Sequence, residues 1–590
     1  MSMSVLGFVG RALGVAMWVL IAVGLVLLAW VWLVADFSGQ EKMMTAVPVL
    51  ALLGVLTVAA LFTIKGPWRR SARGVAVVLI LAGLAVPVLF RLKGLTGDFY
   101  PVLEYRFAPK HDTTLAALPG EAVAPEPAAT DTIAEARRRE GAKDDLGSPT
   151  PEAAPTDTIA VARRREGAKD DQGSPTPEPA AADTIAEARG REGAKDAGAS
   201  FPQFLGPTRT GIIPDVHLAR DWAAHPPKLI WRIPVGAGWS GFAIDRGLAI
   251  TQEQRGGKES VVAYDLLTGK PLWSHGDTVR YDSVIAGDGP RATPTIAGAY
   301  VATLGSTGLL NVLDFRTGRR LWSKNIATDN QAATPEWGRS GSPLILDGKV
   351  IVSAGGGDGK SLVAYDVRTG TRVWSGGSDD AGYAAPIVLR LLGRPQVVIL
   401  NRVTLAGHDP ATGALLWSQP WVPQPNVAMP IRIADDLVLG STGYGIGSKL
   451  VKLTAGPDGA ITPAFVWETP RLKAKFTNPV LHDGFVYGLD DGVLVCMDVK
   501  TGERRWRAGR YGHGQTLLVG DLLLVTTEDG EIVLVEPTPE AHREIARFTV
   551  FDGKTWNPPA IAGKYLVVRS DKEAALYEMT LDQRLGSAGL

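Results

Sequence analysis

The stretch VVAYDLLTGKPLW, residues 261–273, decides the fold. Alternating apolar positions lead to Asp265, Thr268 and Gly269 close a tight turn, and a second strand returns to Trp273. Glycine takes positive φ in such a turn without steric cost. An Asp carboxylate just before the turn accepts hydrogen bonds from turn amides and from the Thr hydroxyl, and so holds it. The tryptophan gives a large apolar face for packing against a neighbouring unit.

The same spacing recurs as Asp314, Thr317, Gly318, Trp322; as Asp366, Thr369, Gly370, Trp374; as Asp409, Thr412, Gly413, Trp417; and as Asp498, Thr501, Gly502, Trp506. Two degenerate copies end on Trp467 and Phe548, and Trp231 precedes the first full copy. Successive aromatics lie roughly 39 to 52 residues apart, the size of a four-stranded propeller blade. They number about eight. After Phe548 the chain has strand-like segments without a fourth strand of their own, and KLIWRIPV near Trp231 can supply it. Such a clasp removes open sheet edges. The pattern predicts an all-β eight-bladed propeller from about Lys228 to Met579.

AYDLLTGKPLW and its copies resemble the tryptophan-docking repeat of pyrroloquinoline quinone (PQQ) proteins. That superfamily includes PQQ-dependent alcohol and glucose dehydrogenases and a non-enzymatic lipoprotein of the outer-membrane barrel assembly machinery. The resemblance covers about 201–579, and FPQFLGPTRTG, GPRATPT and GSPLILDGKVIV resemble bacterial PQQ-like repeat proteins of unassigned role. The repeat is specific for the fold and weak for activity, because it belongs to the blade edge.

The first strand of each propeller blade lines the central channel, and here each blade opens with a polar cluster, usually just before a Pro. Arg291, Arg339, Tyr383, Lys475, Asn478, His513, Trp556 and Asn557, with Arg569, should therefore converge at one mouth. The resemblance implies a planar polycarboxylate such as PQQ as ligand: cations for its carboxylates, amides for ring oxygens, an aromatic for stacking. The same groups equally read as caps on strand ends inside the channel. Three features depart from the dehydrogenases. The single Cys496 forbids an adjacent-cysteine disulfide. Carboxylates for Ca²⁺ are scarce near the mouth, Asp282 and Glu336 being the nearest. No clear base stands out, and the blades lack long inserted loops. No catalytic or metal-binding residue is assigned. Cys496, in the strand VLVCMDV, reads as a core residue.

Ahead of the repeats lie three apolar stretches, 12–35, 45–64 and 74–90, each long enough or nearly so to span a bilayer. No charged residue lies inside them. Lys65, Arg69, Arg70 and Arg73 sit between the second and third. The positive-inside bias places that loop in the cytoplasm and everything after residue 90 on the far side. Residues 1–95 are expected to be a membrane anchor, and 96–200 a low-complexity tether. Within the tether a unit beginning Asp-Thr-Ile-Ala recurs from Asp131 to Asp157 to Asp183, a period of 26 residues. It is too polar to fold alone. Residues 201–580 form the propeller and 581–590 a disordered tail.

Lysine and arginine total 61, as do aspartate and glutamate, so no net charge nominates nucleic acid. The expectation is an inner-membrane protein of bacteria with a periplasmic propeller. It binds or scaffolds envelope proteins or a small anionic ligand, with no assigned cofactor. The alternative is a PQQ- and Ca²⁺-dependent dehydrogenase delivering electrons to membrane quinone.

Overall fold

A computed structural model describes residues 2–33, 39–64, 67–119 and 200–582. The three 26-residue units and the last eight residues of the expected tail lie outside the described residues.

Helices α1 (Ser2–Leu33), α2 (Gly39–Thr63) and α3 (Arg69–Leu89) each contain a stretch long and apolar enough to cross a membrane. Ile21 of α1 packs against Leu53 and Ala60 of α2. Gly24 makes this approach possible, since a Cβ there would come within 2.7 Å of Leu53 Cδ2. Small residues at helix contacts are the usual device where no hydrophobic effect drives association. Among the described residues, many large apolar side chains of the helices are exposed.

The chain leaves α3 directly into a hairpin. Strand β1 (Phe90–Leu95) pairs antiparallel with β2 (Pro101–Tyr105), and Arg91 and Glu104 on facing positions form a 2.7 Å ion pair. A 3₁₀ turn, His111–Thr113, follows. β1 lies at the end of the expected anchor, β2 and the 3₁₀ turn lie in the described part of the expected tether, and all of them pack on the propeller. Asp112 is buried in an ion pair with Arg280, and Lys93 pairs with Asp571 at 2.9 Å. The carbonyl of Pro119 accepts from Ser274, and Phe201 exchanges main-chain hydrogen bonds with Ile244. Pro119 and Phe201 therefore both touch the same blade.

The propeller has eight antiparallel sheets in a ring. Blades 1 to 7 span 243–277, 295–325, 344–376, 387–420, 431–469, 480–510 and 515–549. Blade 8 takes three strands from 560–578 and its outer strand from β4 (Lys228–Pro234), with Leu576 opposite Trp231. The clasp expected from the sequence is formed.

The repeated turn works as its residues dictate. Asp265 Oδ1 accepts from the Thr268 amide and hydroxyl, both at 3.0 Å, and Gly269 has φ +67°. The copies at Asp314, Asp366 and Asp409 repeat this geometry. Each turn receives the tryptophan of the preceding blade. A Cβ on Gly318 would lie 2.4 Å from the ring of Trp273, which donates its Nε1–H to Phe315 O at 3.1 Å. Trp231, Trp322, Trp374 and Trp467 dock on Gly269, Gly370, Gly413 and Gly502 in the same way. The motif is thus a blade-to-blade rivet. Cys496 is fully buried in the core between blades 6 and 7.

Residues 201–213, which contain FPQFLGPTRTG, cross the channel. Phe201 bridges to blade 1, and Arg209 donates to Ser342 O and Pro343 O of blade 3 at 2.8 Å each. Strand β3 (Ile212–Ile213) pairs parallel with the first strand of blade 7.

Candidate functional site at the channel mouth

The loops that lead into the first strands meet at one end of the channel around a common cavity. Five of the nine residues read from the sequence line it: Arg291, Tyr383, Lys475, Asn478 and Trp556. Arg339, His513, Asn557 and Arg569 are not part of its lining.

Most of the nine spend their hydrogen-bonding capacity on the propeller itself. Arg569, 1% exposed, donates to Gly236 O, Gln252 O and Thr251 Oγ1 at 2.8 to 3.0 Å. Arg339 donates to Ala333 O and Ser353 O at 3.0 Å. Arg291 donates to Ala286 O and Gly287 O and lies 4.5 Å from the centre of the Tyr281 ring. Burial pushes both Arg291 and Arg339 down to about 10. Asn557 of the blade 8 loop donates to Gly238 O and Ser240 O ahead of blade 1. Asn478 accepts from Met429 N at 2.9 Å, joining blades 6 and 5. These groups satisfy main-chain atoms at strand ends, which buried polar atoms require.

Lys475 is different. Its ammonium, buried with the side chain 1% exposed, donates to Gly97 O at 2.9 Å. It lies 5.5 Å from the Phe99 ring centre and 5.4 Å from that of Tyr444. Its partner is the turn between β1 and β2. The other turn contacts are of one kind. Lys554 Nζ donates to Leu95 O at 3.3 Å while sitting 4.0 Å from the Trp556 ring centre. Glu528 Oε1 accepts from Gly97 N at 2.6 Å and also from Trp556 Nε1. Asp98 faces His513 Nε2 at 3.1 Å and Arg510 at 3.4 Å. Burial lowers the Lys554 ammonium to about 8 and also lowers Lys475. Burial alone would raise Asp98, but His513, Lys475 and Arg510 outweigh it and hold the carboxyl below its usual range.

With the turn seated, the cavity between it and the blades is about 160 Å³. Its walls are mainly apolar and aromatic, and Phe204 of the channel-crossing segment reaches it from the propeller side. Drug-sized ligands ordinarily occupy roughly 300–1,000 Å³. Among the described residues no three His, Cys, Asp or Glu side chains come together to hold a metal ion. Asp282 is engaged by Arg280 at 2.8 Å. The cavity left by the seated turn is below the range for drug-sized ligands, and no carboxylate is among its lining residues.

Sequence reasoning missed Lys554, Glu528, Trp239, Trp337 and the turn itself. Lys554 stands two residues before Trp556 in KTWNPP, so the polar-cluster rule could have included it. Nothing in LTGDFY, residues 95–100, belongs to a repeat, and only docking gives it a role.

A PQQ-repeat family model described as outer membrane protein assembly factor BamB matches residues 221–339 and 257–508. Quinohemoprotein alcohol dehydrogenase ADH IIB of Pseudomonas putida is 35% identical over 127 residues, 19% of this chain and 17% of the relative. The ADH-IIG enzyme of the same organism is 28% identical over 155 residues, 24% of this chain and 21% of the relative. The chain thus matches only about a fifth of these curated relatives' length. Among solved structures, BamB from Moraxella catarrhalis aligns with a TM-score of 0.43 at 20% identity, covering 60% of this chain and 98% of that one. Quinohemoprotein alcohol dehydrogenase from Comamonas testosteroni aligns with a TM-score of 0.47 at 13% identity, covering 65% and 80%. With eight blades riveted by the Asp-Thr-Gly-Trp repeat, and with that family model matching 221–508, the chain is similar to the PQQ-like β-propeller family.

Proposed function

We propose that this chain is a membrane-anchored binding and scaffolding module for envelope proteins, with its propeller on the extracytoplasmic side. One observation carries the reading: the channel mouth holds a peptide turn by its main chain, through Lys475, Lys554 and Glu528. A site that pairs main-chain N–H and C=O groups with buried charges is built for polypeptide. The cations expected for a planar anion are instead committed to strand-end carbonyls or to that turn. The alternative, a PQQ- and Ca²⁺-dependent dehydrogenase, is supported by the convergence of Arg291, Lys475, Asn478 and Trp556 on one cavity. Residues 90–119, which follow α3, pack on the propeller directly. Calorimetric titration of the full chain in detergent with PQQ and Ca²⁺ separates the two. The binding-module reading expects no saturable heat. Sub-micromolar, Ca²⁺-dependent binding would overturn it in favour of the enzyme.

A further inference from the structure

The turn at 95–99 is held as a ligand is held. Its two carbonyls at Leu95 and Gly97 each meet a lysine ammonium, its Gly97 N–H meets Glu528, and its Asp98 carboxylate meets His513 and Arg510. Gly97 is the residue this seat demands, since a Cβ there would lie 2.0 Å from His513 Cδ2. The acidic residue in the turn faces a cationic rim, so charge complements charge. Yet the turn does not fill its seat. About 160 Å³ remains beside Thr96, lined in part by Trp239, Trp337, Tyr383, Tyr444 and Trp556. An occupant that leaves an apolar cavity forfeits the burial that cavity offers. A loop of the same main-chain shape with a larger apolar residue at the Thr96 position would bind the same groups and fill the space too.

We propose that the channel mouth is a receptor for a protein loop carrying Gly-Asp-aromatic, that the chain's own turn is its resident occupant, and that a partner protein's loop of this chemistry displaces it. The proposal rests on the binding-module reading and names the partner chemistry for it. Docking of the partner and docking of the turn are mutually exclusive, because both need Lys475, Lys554 and Glu528. The resident turn therefore lowers the partner's apparent affinity by the fraction of time the mouth is closed. It also prevents buried charges from standing unpaired when no partner is present.

The test uses the full chain in nanodiscs and two fluorescent cyclic peptides. One copies residues 92–104, and the other carries Thr96→Trp. Gly97→Val in the chain drives the turn out by steric clash, and Asp98→Lys does so by reversing its charge. Both changes lie in the hairpin, so the blades stay intact. Hydrogen exchange at 95–100 reports release. The expected result is peptide binding at least tenfold tighter to either released variant than to the unaltered chain. The Thr96→Trp peptide should bind tighter again, and adding Lys475→Ala should abolish binding. A released mouth that binds neither peptide better than the unaltered chain overturns the proposal, as does a turn that stays protected in both variants. Ca²⁺-dependent PQQ binding would instead sink the binding-module reading itself, so the two failures are distinct.

Discussion

Trp417 donates its indole N–H to Oε1 of Gln396 at 2.7 Å, inside its own blade, whereas the tryptophans facing a complete turn reach the main chain of the next blade. Blade 5 explains the exception. Where its Asp-Thr-Gly turn should stand, the sequence reads TAGPDG, and no docking carbonyl is offered. Gln396, itself anchored to Leu391 O, takes over. Gln396→Leu should therefore leave a buried N–H unpaired and cost roughly 1–3 kcal/mol. Adding Trp417→Phe should recover part of that loss, since the orphan donor disappears. Denaturant unfolding of the single and double variants checks this, and strictly additive losses would contradict it.

The rivet itself can be weighed by comparing two glycines. Gly318 has φ +69° and lies under the Trp273 ring, while Gly256 has φ +52° and a Cβ there would meet nothing within 4 Å. Alanine at either position pays for a left-handed backbone, roughly 1–2 kcal/mol. Only at Gly318 must it also push a docked tryptophan aside, and such overpacking costs roughly 1–3 kcal/mol more. Gly318→Ala should thus be clearly the more destabilising in urea melts. Equal losses would mean that the Trp–Gly contact carries no energy.

These rivets explain why the fold was legible in the sequence. Asp265, Thr268, Gly269 and the returning Trp273 act within a dozen residues, so their chemistry is written locally and repeated. Blade count and the β4 clasp then follow from arithmetic. The mouth was only half legible. Its residues were found because each blade places them at the same point, but whether Arg569 or Asn557 faces a ligand or a neighbouring carbonyl depends on three-dimensional pairing. The hairpin was not legible at all. LTGDFY has no period, and its contact with Lys475 spans 378 residues.

Buried Glu259 makes stability depend on pH. It accepts from Ser306 N at 3.2 Å, is 6% exposed, and burial pushes it up to about 7 from an ordinary 4.5. The folded state therefore keeps a proton that the unfolded state releases. Its contribution to stability is greatest below about 4.5, falls as pH rises to about 7, and is level above that. The difference is on the order of 3 kcal/mol. Glu259→Gln keeps an acceptor for Ser306 without ionising. It should match the parent near pH 4.5 and exceed it in Tm at pH 8. Parallel melting curves across the range would refute this assignment.

The clasp gives the last prediction. Trp231 sits on β4, the outer strand of blade 8 contributed from the N-terminal side of the repeats, and its Nε1–H reaches Leu266 O of blade 1 at 2.8 Å. It thus rivets blade 8 to blade 1 and holds the strand that closes the ring. Trp322 makes the equivalent bond from blade 2 to Val367 O of blade 3, between blades that are consecutive in sequence. Truncating either to Ala should cost roughly 3–5 kcal/mol. The consequences for local opening should differ. In Trp231→Ala the closing strand can leave without unfolding a whole blade, so limited proteolysis should cut first between 214 and 234. In Trp322→Ala the ring stays closed and cleavage should wait for global unfolding. Arg209 and the Phe201 bridge still hold 201–213 in the channel, which confines the early cut to the segment after them. Identical cleavage patterns in the two variants would show that the clasp is no weaker than any other seam.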